Sequence, residues 1–509
     1  MRRFLLPALL FTTATLALAQ TGPGRIIGMY VHQHWPYNHP YAARTWTLED
    51  WRGYASGLKQ LGFNTVLIWP VLETMPEPLT PSDRANLYKI ARVIHMLHRE
   101  LGMRAWIALC PNVAADPPEA AKATFETRHF FYSDVRVNPA DPAAVAKMMR
   151  WRERLLRPLA EADALVIIDS DPGGYPGSTN AEFAHLLVEH RRMLDRLRPG
   201  IELIYWVHFG WEAYSRYYLT GKLVRANDEE HLDAVARLAE VNPEPWGLAN
   251  GLTYAQKLGL GSRVLEFNYG RIEAEPSFPM TNFSPDLAWQ AGRGLGAPRG
   301  VMGNAQTHCL QLPNTFAFAR GATGRSITDA DFVQFANALI PGQGALIVKA
   351  WKTLAGQDAK AMREVALELE KAAGGKWRPG ALEGLLFGDA QRFARDLLMQ
   401  LRAKAAYQDF LSASQQNRVV RQCLKEFAAA VEAWQRRHGY QCVWRPTRWH
   451  WLGMNEALAK LNSPAINAVL NPQYRSPEGF ERVREKFRLD ETYTVRLLQA
   501  IRSYLVGGS

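Results

Sequence analysis

Cysteine is scarce in this chain. Its four residues of that type, Cys110, Cys309, Cys423 and Cys442, are spread over 509 positions with no CxxC pair, which argues against a thiolate metal cluster. Cys423 and Cys442 lie close in sequence, and an oxidising compartment would permit a disulfide between them, although spacing does not set connectivity. HExxH, GxSxG and P-loop motifs are absent, and the histidine spacings make no metal set, so no metal or other cofactor is expected. No glycine-rich phosphate fingerprint follows the first strand pattern, and no repeat of fixed period stands out. Beyond the N-terminal leader, no segment is apolar enough to span a bilayer. Acid is the scarcer charge: 49 Asp and Glu stand against 60 Lys and Arg, a formal net charge of +11. Such a balance suits nucleic acid, a membrane surface or an acidic substrate. No arginine cluster resembles a nucleic-acid motif, and the export expected below argues against nucleic acid. A solvated, arginine-rich surface accounts for the charge, with an acidic polysaccharide as the alternative.

The chain opens on Met1-Arg2-Arg3, an apolar stretch to about Leu18, and Ala17-Leu18-Ala19 before Gln20. A basic start, a short apolar run and a small-x-small site read as a signal peptide over 1–19. The expectation is export, to the periplasm or outside the cell. From 25 onward, apolar β-branched runs alternate with amphipathic helices. Strand patterns fall at 26–32, 64–69, 104–109, 164–168, 202–207, 246–250, 263–269 and 300–306. Helical patterns follow them at 48–61, 82–101, 142–159, 179–197, 229–240, 253–258, 285–295 and 312–322. Regular alternation implies parallel βαβ connections, and eight units over about 300 residues imply closure into a (β/α)8 TIM barrel spanning 25–323. An open doubly wound sheet is the competing arrangement. After Gly324 the strand signal disappears, and helical patterns at 329–339, 359–373, 389–411, 417–438 and 493–505 predict an all-helical C-terminal domain over 324–509.

What the chain has in quantity is tryptophan, 16 residues, whose flat apolar faces and N–H suit sugar rings. In a parallel barrel, residues just past each strand's C-terminal end converge on one face. Among those residues, His32, Trp69, Trp206, His208, Asn250, Tyr269, Asn304 and Gln306 are the expected substrate contacts. Carboxylates and amides bond hydroxyls, and indoles cover the apolar side of a sugar. The stretch 164–177 is the most pointed: strand four ends in Asp169 and Asp171 and breaks at Pro172-Gly173-Gly174. Two aspartates two apart on an extended strand point the same way, roughly 7 Å from each other, and neighbouring carboxylates split into an acid and a base. The other reading of either aspartate is a cap on the turn or the next helix. Glu266, within the strand RVLEFNY, is a third catalytic candidate facing Asp171. By parity it shares a side with Val264 and Asn268, opposite Leu265, Phe267 and Tyr269. Which side is the interior is not legible, and a structural role paired with an arginine is equally open. Glu73, in the loop after strand two, is a further candidate.

The layout resembles the hexosaminidase-type glycoside hydrolases over 25–323. The matching residues are Asp169, Asp171 and the Pro172-Gly173-Gly174 turn, Leu-Gly-Phe-Asn-Thr at 61–65, and Asn304-Ala-Gln-Thr-His308 followed by Leu312-Pro313. The resemblance implies glycan cleavage on a TIM barrel with a helical extension. This chain offers Asp-x-Asp where the common dyad is Asp-Glu. The leading expectation is an exported glycoside hydrolase with Asp171 as general acid/base and Asp169 as its partner, in a substrate-assisted scheme for which adjacent aspartates are better suited than for opposed pairs. A non-catalytic carbohydrate-binding barrel competes with it, and a lyase or esterase acting on acidic polysaccharide ranks last.

Overall fold

The computed structural model describes residues 24–130, 134–170, 172–273, 283–415, 420–439, 453–474, 483, 485, 486, 488–490 and 492–507. The leader at 1–19, Asp171 and Cys442 lie outside these residues. Eight parallel strands close into a barrel: β1 (Ile26–His32), β2 (Thr65–Trp69), β3 (Arg104–Leu109), β4 (Ala164–Ile168), β5 (Glu202–Trp206), β6 (Trp246–Ala249), β7 (Val264–Asn268) and β8 (Gly300–Asn304). Each pairs with its neighbours in sequence, and β8 closes on β1 with Tyr30 opposite Asn304. The strands are apolar almost throughout because helices cover one face and barrel side chains fill the other.

Local chemistry explains where the elements stop. The helix Leu48–Leu61 begins with a capping box between Thr47 and Asp50, and Gly62 ends it in the left-handed region at φ 104°. That conformation suits glycine because it has no Cβ. Two features escape the periodicity. The loop after β3 contains an antiparallel hairpin, Val113–Ala115 with Asp134–Arg136. A helix, Trp211–Thr220, directly follows β5; its aromatic-rich sequence has modest helix propensity and is stabilised by burying Trp211, Tyr214, Tyr217 and Tyr218.

The barrel interior is identified by side chains that meet across it. The Tyr30 ring centroid lies 5.6 Å from that of Trp206 and 5.4 Å from that of Phe267, and the last two stack at 3.9 Å. These residues come from β1, β5 and β7, so their sides of those strands face inward. Register carries the assignment round the sheet: Trp69, Ile168, Met302 and Asn304 also face in. At the opposite end, Arg299 donates two hydrogen bonds to Glu202, at 2.6 and 2.7 Å. A Cβ at Gly247 would fall 2.0 Å from Arg299 Nη1, so a side chain there would collide with this pair.

The region after 324 is helical where described, including helices Gly344–Ala355, Met454–Ala459 and Pro464–Leu470 beyond the sequence expectation. Packing divides later than the change in pattern. The barrel's apolar core continues through Phe332, Trp351, Leu369 and Ala405 and also takes in Val483. A second core gathers Tyr407, Phe427, Trp434 and Leu497 around Trp35, Tyr37 and Tyr41 from the β1 loop and Leu310 from the β8 loop. The last helices therefore rest on loops at the C-terminal end of the barrel. Cys423 is half-buried and in no disulfide among the described residues.

Candidate active site

Six of the expected substrate contacts come together at the barrel's C-terminal mouth. Gln306 is their hub. His32 Nε2 and Trp35 Nε1 (the latter at 3.0 Å) both meet its Oε1, and its Nε2 donates to the Tyr269 hydroxyl at 2.7 Å. The backbone N–H of His34 points to His32 Nδ1 at 3.4 Å, which assigns the ring proton of His32 to Nε2. Burial, reinforced by His34, His308 and Arg44, holds the His32 pKa well below its ordinary value, so this imidazole is neutral. The Trp69 ring lies 6.1 Å from His32, and His208 lies 5.7 Å from Trp206 and 6.3 Å from Tyr269. Trp206 Nε1–H is buried and meets no acceptor among the described residues. A parallel stack backs the mouth: Trp35 lies against His34 at 4.3 Å and Tyr37 at 5.6 Å.

The remaining two expected contacts fasten the rim. Asn250 Oδ1 accepts the Phe267 N–H at 2.8 Å, tying the end of β6 to β7. Asn304 faces inward, but its side chain accepts from Gly270 N at 2.8 Å and donates to the Glu273 carbonyl at 3.1 Å. Both are consumed by backbone groups that would otherwise go unpaired.

The carboxylates are distributed differently from the sequence expectation. Asp169 is fully buried, on the outward side of β4, and Ile168 takes the inward position. Its oxygens accept from Ser170 Oγ (2.7 Å), the Tyr205 hydroxyl (3.0 Å), His208 N (3.0 Å) and Gly210 N (3.1 Å). A carboxylate held by four donors behind the strand pins the β5 loop, away from the mouth where an acid–base partner of Asp171 is expected. Glu266, the third catalytic candidate, is also placed away from the mouth. It shares a side with Val264, away from Phe267, and accepts from Asn268 Nδ2 at 2.9 Å and from Leu295 N. It therefore lies outside the barrel, under the helix Pro285–Arg293 and its exit. Asp171 lies outside the described residues.

Two more acids complete a pattern. Glu73 is buried, accepts from Cys110 N and from Trp69 Nε1 (3.2 Å to each oxygen), and has its pKa raised by burial against the pull of these donors and Arg152. Glu273, which patterning does not single out, accepts from Gln306 N, Thr307 N and Thr307 Oγ1, each at 2.6 Å. Burial pushes its pKa up to about 7 despite those bonds. Glu73, Asp169 and Glu273 thus each accept a backbone N–H from the end of the next strand or the loop beyond it. The sequence clue to Glu273 is that it stands in the loop after β7, as Glu73 does after β2. Among the described residues, no group of three or more His, Cys, Asp or Glu is placed to hold a metal ion, and no helix is long and apolar enough to cross a membrane.

No family model and no curated protein matches this chain. Among solved structures it is similar to a GH138 enzyme targeting pectin rhamnogalacturonan II, at 9% identity and TM-score 0.47, over 80% of this chain and 62% of that one. It is also similar to a Thermobaculum terrenum O-GlcNAc hydrolase mutant, at 10% identity and TM-score 0.44, over 95% and 96% of the two chains. A third is BtGH115A, a GH115 4-O-methyl-alpha-glucuronidase with specificity for decorated arabinogalactans, at 11% identity and TM-score 0.45, over 81% and 59%. The chain spans less than two thirds of the first and third of these.

Proposed function

We propose that this chain is an exported glycoside hydrolase of the hexosaminidase type, acting on a polysaccharide or glycan, with Asp171 as general acid/base. One observation carries the reading: a mouth in which indole, phenol, imidazole and amide side chains converge, with a buried Trp206 N–H that meets no acceptor among the described residues. A buried donor without a partner costs about 1–3 kcal/mol, a cost that an oxygen-rich ligand removes. Flat rings next to fixed donors and acceptors are what polyhydroxylated ligands require. Asp171 then protonates the leaving glycosidic oxygen and later takes a proton from water. With Asp169 engaged in holding the β5 loop, a neighbouring acetamido group of the substrate serves as the nucleophile, which needs no second enzyme carboxylate at the anomeric carbon. The basic n-region and Ala17-Leu18-Ala19 support export.

A second reading, a carbohydrate-binding barrel without catalysis, is favoured by the engagement of Glu73, Asp169 and Glu273 with loop donors. The deciding experiment measures product release from plant, bacterial and host polysaccharides, with wild type beside Asp171→Asn. Cleavage that disappears in the variant is expected. Binding without cleavage by wild type would instead establish the binding barrel.

A further inference from the structure

The β8 loop depends on an acid from the β7 loop. Glu273 offers two oxygens, and three donors from Gln306 and Thr307 occupy them at 2.6 Å. Its main chain is held just as firmly. Glu273 N donates to the Asn304 carbonyl at 3.2 Å, and Asn304 Nδ2 donates to the Glu273 carbonyl at 3.1 Å. The acid and the end of β8 therefore clasp each other through backbone and side chain together.

Gln306 carries this clasp into the mouth. Its amide has one workable orientation, because Oε1 receives the N–H groups of His32 and Trp35 while Nε2 gives to Tyr269. Flipping it would set an NH2 against two N–H donors and an oxygen where its donor to Tyr269 now lies. A shift of the Gln306 backbone would thus disturb residues from the β1 and β7 loops at once.

We propose that Glu273 is a positioning residue of the mouth: its carboxylate fixes the Gln306–Thr307 turn, and through Gln306 it sets His32, Trp35 and Tyr269. It touches no reacting atom. The proposal rests on the carbohydrate reading only where it concerns glycan affinity. Its structural part stands on the contacts above. Three donors converge on the two oxygens at 273, and an amide there would turn an NH2 toward groups that are already donors.

The test uses the full chain and the Trp35 indole 1H–15N signal, identified by its loss in Trp35→Phe. This signal reports the bond to Gln306 without any substrate. In Glu273→Gln the signal is expected to move well beyond its linewidth. The KM or Kd for a glycan that wild type cleaves or binds rises about tenfold, with kcat nearly unchanged. Thr307→Val removes one of the three donors and shifts the signal the same way by less. An unmoved signal in folded Glu273→Gln overturns the proposal. If that variant does not fold, an unmoved signal in Thr307→Val overturns it, and a moved one supports it. A moved signal with no glycan bound by wild type leaves the positioning role standing and removes the carbohydrate reading. An unchanged KM in an active Glu273→Gln removes the positioning role and leaves that reading intact.

Discussion

The two sides of the barrel mouth treat polar residues in opposite ways. Where β4 meets β5, the carboxylate turns outward: Asp169 is enclosed by Tyr205 and the amides of the β5 loop, and Ile168 faces the mouth. Where β8 meets β1, the polar groups turn inward, so that Gln306 meets both His32 and Tyr269. Both sides lie at strand C-terminal ends, where a βα barrel collects its chemistry. One step of strand parity separates a residue that lines the mouth from one that fastens a loop behind it. A carboxylate at a strand end is therefore a weak sign of catalysis until its side is known.

The two aspartates at the end of strand four carry the largest expected effects. Asp171→Asn should lower glycan cleavage by about 10²–10⁴-fold, the usual weight of a general acid/base, measured as initial rates on the substrate found in the panel. Full activity in that variant would leave the β4 end without a catalytic role. Asp169→Ala should instead act on stability. It leaves the Tyr205 hydroxyl and the His208 and Gly210 amides without their acceptor, a loss of roughly 3 kcal/mol or more, read from denaturant unfolding. A fully stable Asp169→Ala would show that the outward side is not structural.

On the other side, Glu273 gives a pH dependence. Its folded pKa of about 7 lies above its ordinary 4.5, so the folded state holds this proton more tightly than the unfolded chain does. The stability it contributes is present below about 4.5 and is lost as pH rises to about 7. His190 and His308, held down to about 3 by burial, act the opposite way, losing stability as pH falls below the ordinary histidine range. The measurement is therefore the difference between wild type and Glu273→Gln in unfolding free energy from pH 4.5 to 8. A downward slope that levels off above about 7 is expected, and a level difference would count against the assignment. Tyr54 and Cys309 are the ionisable neighbours that share this charge environment.

The smallest effect belongs to Glu266. Glu266→Gln should change stability by no more than about 1 kcal/mol and leave cleavage at the wild-type rate. A loss of activity at unchanged stability would return Glu266 to the mouth.

Much of this fold is legible in the chain. Runs such as NTVLIW and ELIYWV are too short and β-branched for buried helices, and the helix Leu48–Leu61 falls where its periodicity places it, stopped by Gly62. The helix Trp211–Thr220 and the hairpin Val113–Ala115 with Asp134–Arg136 were not legible, because an aromatic run and a three-residue strand carry little periodicity. Six mouth residues, His32, Trp69, Trp206, His208, Tyr269 and Gln306, follow from strand ends alone. Asn250 and Asn304 look equally eligible in sequence, and only their partners reveal that they hold loops. Glu273 is not singled out by the sequence at all, and its role emerges only from its contacts with Gln306 and Thr307.

Alternation, the number of strand–helix units and the pairing of residues into faces are written in the chain: Glu266 goes with Val264 and Asn268, and Phe267 goes with Tyr269. Those are local consequences of a two-residue period along one strand. Which face is the interior depends on Tyr30, Trp206 and Phe267 meeting across the barrel from three distant strands, and so is set by the fold. The same holds for the second core, in which Trp35 and Tyr37 of the first loop are covered by helices about 400 residues later. Burial and hydrogen-bond partners arise between segments far apart in the chain, so no window of sequence contains them.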